Sequence, residues 1–177
     1  PALADYVESG FVSAVLEEAG KFARGVLSPL NAVGDLQGCR FEDGTVTTPD
    51  GWKDAYQQFN DGGWMGLAMS ADFGGQQLPK FIAQPVNEMW LSSNLAFVMF
   101  HALNQGCSEI LGHFGTEEQK ARYMEAIVSG RWAVAMALTE PGAGSDLAAT
   151  STRAVPQGDG TYKIKGQKIF ITYGEHD

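Results

Sequence analysis

Thr139-Glu140-Pro141-Gly142-Ala143-Gly144-Ser145-Asp146-Leu147 leaves the apolar run Trp132 to Leu138 (WAVAMAL) through a proline and two glycines, then sets a serine beside an aspartate. Glycine admits backbone angles and close approaches that a side chain would block. Ser145 and Asp146 are helix N-cap types, and a helix N-terminus offers unpaired N–H groups to an anion. The stretch therefore reads in two ways. It holds something flat or phosphorylated, or it is an ordinary strand-to-helix corner, and by itself it leaves both open.

From Trp132 onward the pattern changes to that of strands. Trp132 to Thr139 has the length and composition of a buried strand. Arg153-Ala154-Val155 and Tyr162 to Lys165 flank Gly158-Asp159-Gly160, a hairpin signal. Lys168 to Tyr173 (KIFITY) alternates, which predicts a strand with Phe170 and Thr172 on one face and Ile169, Ile171 and Tyr173 on the other. An aromatic plate beside a hydroxyl suits a planar heterocycle with polar edges, because the plate stacks and the hydroxyl satisfies a ring heteroatom. It is equally the composition of an ordinary sheet surface. Thr139 could offer a second hydroxyl, or act only as a cap.

Upstream the period is helical. Val7, Phe11, Val15, Phe22 and Val26 fall on one face, and Pro29 closes that helix. Residues 34–51 are rich in Gly, Asp and Thr and read as a long surface loop. A second helix runs from Trp52 to Asn60, and glycine pairs at 62–63 and 74–75 bracket a loop. Helix returns from Lys80 to Trp90. The segment Asn94 to His113 is apolar nearly all round at its start, the profile of a buried central helix. Thr116 and Gln119 form a capping box, Tyr123, Met124, Ile127 and Val128 a buried stripe, and Gly130 the stop. Residues 1–130 thus predict an all-α domain of about five or six helices, and residues 131–177 the beginning of an antiparallel β domain: an α+β chain.

A chain of this length buries about 70% of its unfolded surface, enough for a true core. Its formal charge of −9 argues against a nucleic-acid face, which needs clustered cations. Cys39 and Cys107 are too few for a disulfide framework or a zinc site, and His101, His113 and His176 have no ligand spacing, so they read as solvated or core-satisfied. The longest apolar stretch, Leu95 to Phe100, is far too short for a membrane span, no secretory signal is present, and a cytoplasmic compartment is expected. Pro1 implies a processed or engineered start. The end at Tyr173-Gly174-Glu175-His176-Asp177, straight after a strand pattern, reads as a cut, with Glu175 and Asp177 solvated.

Together, Thr-Glu-Pro-Gly-Ala-Gly-Ser-Asp at 139–146 and Gly-Xaa-Lys-Xaa-Phe-Ile-Thr at 166–172 resemble the acyl-CoA dehydrogenase family. Phe114-Gly115-Thr116 with Gln119-Lys120, and Asp72-Phe73 before Gly74-Gly75, fit the same family, so the resemblance covers essentially the whole chain. GDLQGCRFEDG and TPDGW are most like its larger bacterial branch, which includes long-chain and 3-methylmercaptopropionyl-CoA dehydrogenases.

The resemblance implies an N-terminal helical domain, a middle β domain and a C-terminal helical bundle, with FAD bound between the last two and neighbouring subunits contributing. In the family a glutamate base in the bundle removes the α proton of an acyl-CoA while the flavin takes the β hydride. An electron-transfer flavoprotein then collects the electrons. Carried onto this chain, Met136, Leu138 and Thr139 line the pyrimidine edge of the flavin, and Phe170, Ile171 and Thr172 the region near N5. Ser145 takes the position that contacts the pantetheine or phosphate region of CoA. Two positions depart from many members: Phe170 stands where tryptophan is common, and Met136 where an aromatic or other residue is common. No carboxylate here takes the place of the base, Glu140 included. The expected activity is α,β-dehydrogenation of a fatty acyl-CoA (β-oxidation) by a homo-oligomeric parent, with the isolated chain inactive and holding FAD weakly or not at all. The alternatives are an acyl-CoA oxidase or flavin monooxygenase of the same fold, or a non-catalytic association subunit. The helix around Leu95 to Leu103 is expected to wall part of the acyl pocket.

Overall fold

The computed structural model describes residues 10–177, so the expectation for Val7 lies outside the described residues. The chain divides into two compact units, one reaching to Val134 and taking in Glu175–Asp177, the other Ala135–Gly174.

The first unit is helical. Helix α1 (Phe11–Phe22) passes through a π-helical segment, Ala23–Leu27, directly into α2 (Ser28–Gln37). Pro29 therefore does not end the helix as expected. It falls in the first turn of α2, where a missing N–H is tolerated, just after the widened segment. The buried side of α1 is made of small residues, Ala19, Gly20 and Ala23, with Leu27 beyond them, rather than of the larger Phe11 and Phe22. The predicted loop over residues 34–51 is also corrected. It contains the end of α2 and a hairpin of β1 (Arg40–Glu42) and β2 (Thr45–Thr47). Asp43 and Gly44 have φ of 50° and 83°, the two positive values that a tight turn matched to strand twist requires.

Helices α3 (Trp52–Asp61), α4 (Lys80–Ser93), α5 (Leu95–Phe114) and α6 (Glu117–Val128) follow. Their starts are chemically specified. Asn94 accepts from Phe97 N–H at 3.0 Å, and Thr116 and Gln119 exchange both bonds of the expected capping box. The core is aromatic. Phe59 lies 4.9 Å from Trp90, 5.4 Å from Phe100 and 5.6 Å from the buried imidazole of His101, centroid to centroid, mostly edge to face. Asn104, fully buried, donates to Ile127 O and Trp132 O and accepts from Val134 N–H, so the chain leaving α6 is pinned along α5.

Gly130 ends α6 with φ 74°, and a Cβ there would overlap the Asn60 amide. Its carbonyl accepts from Tyr56 Oη at 2.7 Å and Asn60 Nδ2 at 3.1 Å, so both its conformation and its closeness to Asn60 demand glycine. Asp177 is not merely solvated. Its carboxylate accepts from Thr48 N–H at 2.9 Å and Thr48 Oγ1 at 2.6 Å, which holds its pKa below the ordinary value.

The second unit contains the expected hairpin, β3 (Arg153–Pro156) against β4 (Tyr162–Lys165), with Arg153 opposite Lys165. The two other predicted strands are not formed as such. Residues 132–139 and 168–173 run without a ladder, and one backbone bond joins them, from Ile169 N–H to Thr139 O at 2.9 Å. A strand needs a partner along its length, and apolar alternation reports the wish for one rather than its presence.

Candidate functional site

The Glu-Pro-Gly-Ala corner closes on itself. Glu140 N–H donates to Ala143 O at 3.0 Å and Ala143 N–H returns to Glu140 O at 3.1 Å, so Pro141 and Gly142 form a two-residue turn. Neither Gly142 nor Gly144 has a positive φ, and a Cβ on either would meet no protein atom. Internal packing and backbone conformation do not explain these two glycines. The expected helix N-terminus after Ser145 is corrected: Leu147–Ala149 is one 3-10 turn, and Asp146, accepting from Ala148 N–H at 3.1 Å, is its cap. Three residues carry too few aligned peptides to serve as an anion-binding helix end, which leaves bare amides and the Ser145 hydroxyl as the local donors.

Glu140 is the organising group of this unit. Only 4% exposed, it accepts at one oxygen from Ser151 N–H (2.7 Å) and Ser151 Oγ (2.6 Å), and at the other from Thr152 N–H (3.0 Å) and Lys168 Nζ (2.9 Å). The Ser151 hydroxyl foremost, then the Thr152, Ser151 backbone and Lys168 donors, hold its pKa far below the carboxylate range. All four of these hydrogen bonds to the carboxylate come from its own chain, which favours its ionised form. Lys168 Nζ also donates to Leu138 O at 2.8 Å. Gly166 is obligatory here, because a Cβ would overlap the Thr152 hydroxyl.

Around this clamp stand the residues singled out from the sequence. Thr139 and Ile169 touch through the backbone bond, so the segments carrying Met136, Leu138 and Thr139 and carrying Phe170, Ile171 and Thr172 do meet. Phe170 departs from the expected alternation. Its φ is 55°, and the left-handed residue turns the chain, so the period-two rule does not place it on one face with Thr172. Its ring is 86% exposed; Met136 and Leu138 are exposed as well, Ile171 is half-buried, and Ser145 and Thr172 are exposed. A non-glycine residue at positive φ with a bare aromatic ring is an arrangement that packing within this unit does not reward.

Sequence reasoning missed Ser151 and Thr152 and gave Gly166 and Lys168, although both stand in the quoted motif, no part in this clamp. The available signal was a lysine at the head of an apolar alternating segment, with Glu140 and Asp146 as the acids of the corner.

Residues 12–131 match the description "Acyl-CoA dehydrogenase, N-terminal domain" and residues 135–176 the middle domain of the same family. The chain belongs to the acyl-CoA dehydrogenase family. Among its relatives is 3-methylmercaptopropionyl-CoA dehydrogenase of Ruegeria pomeroyi, 44% identical over 171 residues, 97% of this chain and 29% of that protein. Among solved structures, butyryl-CoA dehydrogenase from Megasphaera elsdenii superposes with a TM-score of 0.77 at 26% identity, covering 92% of this chain and 41% of that one. The FAD complex of PigA does so with 0.73 at 26%, covering 90% and 39%. The chain therefore spans well under half the length of these proteins.

Proposed function

We propose that these residues supply one wall of an FAD site in an enzyme that introduces a trans α,β double bond into an acyl-CoA. The observation that carries the reading is the division of polar groups in the second unit. Glu140 takes up Ser151, Thr152 and Lys168 as donors, whereas among the described residues the hydroxyls of Thr139, Ser145 and Thr172 make no hydrogen bond, the Phe170 side chain is exposed, and a Cβ on Gly142 or Gly144 would meet no protein atom.

Those residues fit the cofactor. Phe170 offers a stacking face, Met136, Leu138 and Ile171 apolar contact, and Thr139 and Thr172 hydrogen bonds to ring heteroatoms. The uncovered amides around Gly142 and Gly144, with Ser145, suit pyrophosphate or the pantetheine arm of CoA. When bound, FAD supplies the two-electron acceptor. The chain's part is to stack and orient it, to donate hydrogen bonds that favour the electron-rich form, and to exclude water from one side. The family's glutamate base is assigned to sequence outside the matched region.

On the helical unit, Leu95 and Met99 lie exposed along α5, a surface suited to lining an acyl pocket. An electron-transfer flavoprotein as acceptor, a homo-oligomeric assembly, a cytoplasmic location and a role in β-oxidation complete the reading. Among the described residues no helix is long and apolar enough to cross a membrane.

The test is on the full-length protein. It should retain yellow flavin absorbance after desalting, bleach under anaerobic addition of a saturated acyl-CoA, and reduce a dye or flavoprotein acceptor. Colourless protein refutes the reading, and stoichiometric hydrogen peroxide in place of acceptor reduction converts it to an oxidase.

A further inference from the structure

Four hydrogen bonds and one ion pair converge on Glu140 and Lys168 from stretches far apart in sequence. Glu140 opens the glycine corner, Ser151 and Thr152 precede β3, and Lys168 lies two residues beyond Gly166. Lys168 is bidentate in effect. Its ammonium bonds the Glu140 carboxylate at 2.9 Å and the Leu138 carbonyl at 2.8 Å, while the next residue, Ile169, donates its N–H to Thr139 O at 2.9 Å. Between Leu138–Thr139 and Lys168–Ile169, these are the bonds that fix one segment against the other. Of the residues assigned to the flavin, Leu138 and Thr139 accept these bonds themselves, and Met136, Phe170, Ile171 and Thr172 lie within three residues of a bonded one.

The pair is also electrically matched. Glu140 is 4% exposed and among the described residues its carboxylate pairs with no other cation; the Lys168 side chain is 21% exposed. Removing either partner leaves an uncompensated charge in a poorly solvated place. That charge would act on any ligand whose own charge changes during the reaction.

We infer that Glu140 and Lys168 are positioning residues for the flavin: they lock the two cofactor-facing segments in register and keep the local charge neutral, so that the reduction potential is not biased by a bare carboxylate. This rests on the functional reading above. Neither residue touches the reacting atoms. Both act through the backbone of Leu138, Thr139 and Ile169 and through their summed charge.

The consequence separates positioning from mere stability. In Lys168→Met the unpaired carboxylate opposes the negative charge gained on reduction, so the flavin potential moves negative. In Glu140→Gln the unpaired ammonium favours that charge, so it moves positive. Damage to the fold would move both the same way. The double variant is neutral again, so its potential returns close to that of the parent while FAD affinity stays weakened, because the register bonds are gone. Lys168→Arg, which keeps charge and donors, restores part of the affinity.

The experiment uses full-length holoenzyme. Midpoint potentials are measured by equilibration with a reference dye, FAD dissociation constants by flavin fluorescence, and folding by circular dichroism. Lys168→Met is expected to weaken FAD by about tenfold, roughly 1.4 kcal/mol. Potentials of the two single variants shifted in the same direction, or unshifted with parental FAD affinity, overturn the inference. Should Lys168→Met fail to fold, the positive shift in Glu140→Gln and the partial rescue by Lys168→Arg still decide it. Wild-type protein without flavin would overturn the functional reading itself, whereas flavin-loaded wild type with indistinguishable variants removes only the role of the pair.

Discussion

His101 makes the stability of the helical unit depend on pH in a calculable way. Its imidazole is 5% exposed, with ring centroids 5.6 Å from Phe59 and 5.9 Å from Trp90. Burial lowers its pKa to about 4, opposed in part by a hydrogen bond to the Met65 backbone. A base whose folded pKa is depressed binds its proton more readily when unfolded, so its neutral form stabilises the fold above the unfolded value near 6.5. That contribution is lost as pH falls from there toward 4. The slope approaches about 1.4 kcal/mol per pH unit, giving a loss of roughly 2–3 kcal/mol between pH 6.5 and 4.5. All four tryptophans, Trp52, Trp64, Trp90 and Trp132, belong to the helical unit, so indole emission during urea unfolding reports that unit alone. The comparison is wild type against His101→Gln at pH 7.5, 6.5, 5.5 and 4.5. The variant is less stable at neutral pH, but its curve should be flatter by the amount worked out above. Parallel curves for the two proteins would refute the assignment of a buried neutral imidazole. The window stops at 4.5 because below it Glu109 and Asp177, carboxylates of the same unit whose folded pKa values are depressed, begin to withdraw their own contributions, which are fully present only above the ordinary carboxylate value.

Other substitutions separate packing from ligand binding. Gly130→Ala should lower stability by about 2 kcal/mol or more, since the left-handed backbone alone costs about 1–2 kcal/mol and the Asn60 amide must also move; urea midpoints read by tryptophan emission check this. Gly166→Ala should leave that tryptophan transition unchanged yet weaken FAD retention, because the displaced Thr152 loosens the Glu140 clamp in the other unit. Gly142→Ala should change stability by no more than about 0.5 kcal/mol, since its Cβ meets nothing, while FAD affinity or the Michaelis constant for acyl-CoA worsens; unchanged binding would remove the argument from bare glycines.

The helical unit was legible because its signals are local. A capping box at Thr116, a glycine stop at 130 and a doubly apolar helix from Leu95 each need only a dozen neighbouring residues to be read, and each forms as expected. Pro29 misled because its effect depends on the hydrogen-bond ring size upstream, and a π-helical segment is not written in hydrophobic period. The hairpin at 40–47 was hidden because its strands, Arg-Phe-Glu and Thr-Val-Thr, bury almost nothing, although Asp43-Gly44 was the turn signal to weigh. In the second unit the two segments that carry the motif meet, joined by the bond from Ile169 N–H to Thr139 O. What periodicity could not supply was the φ of 55° at Phe170 or the partners of Glu140, because both are settled by residues distant in sequence.

The corner that opened the question therefore has two parts with different duties. Glu140 faces inward and accepts from its own chain, drawing Ser151, Thr152 and Lys168 together. Gly142, Gly144 and Ser145 are exposed, and a Cβ on either glycine would meet no protein atom. A turn that served only the fold would be better built with side chains on those glycines, since alanine at a compatible φ stabilises by restricting the unfolded chain, about 0.4–1 kcal/mol per site. Forgoing that gain at two neighbouring positions, while Phe170 has a left-handed backbone and an exposed side chain, is a cost that the proposed ligand shelf accounts for and packing within the unit does not.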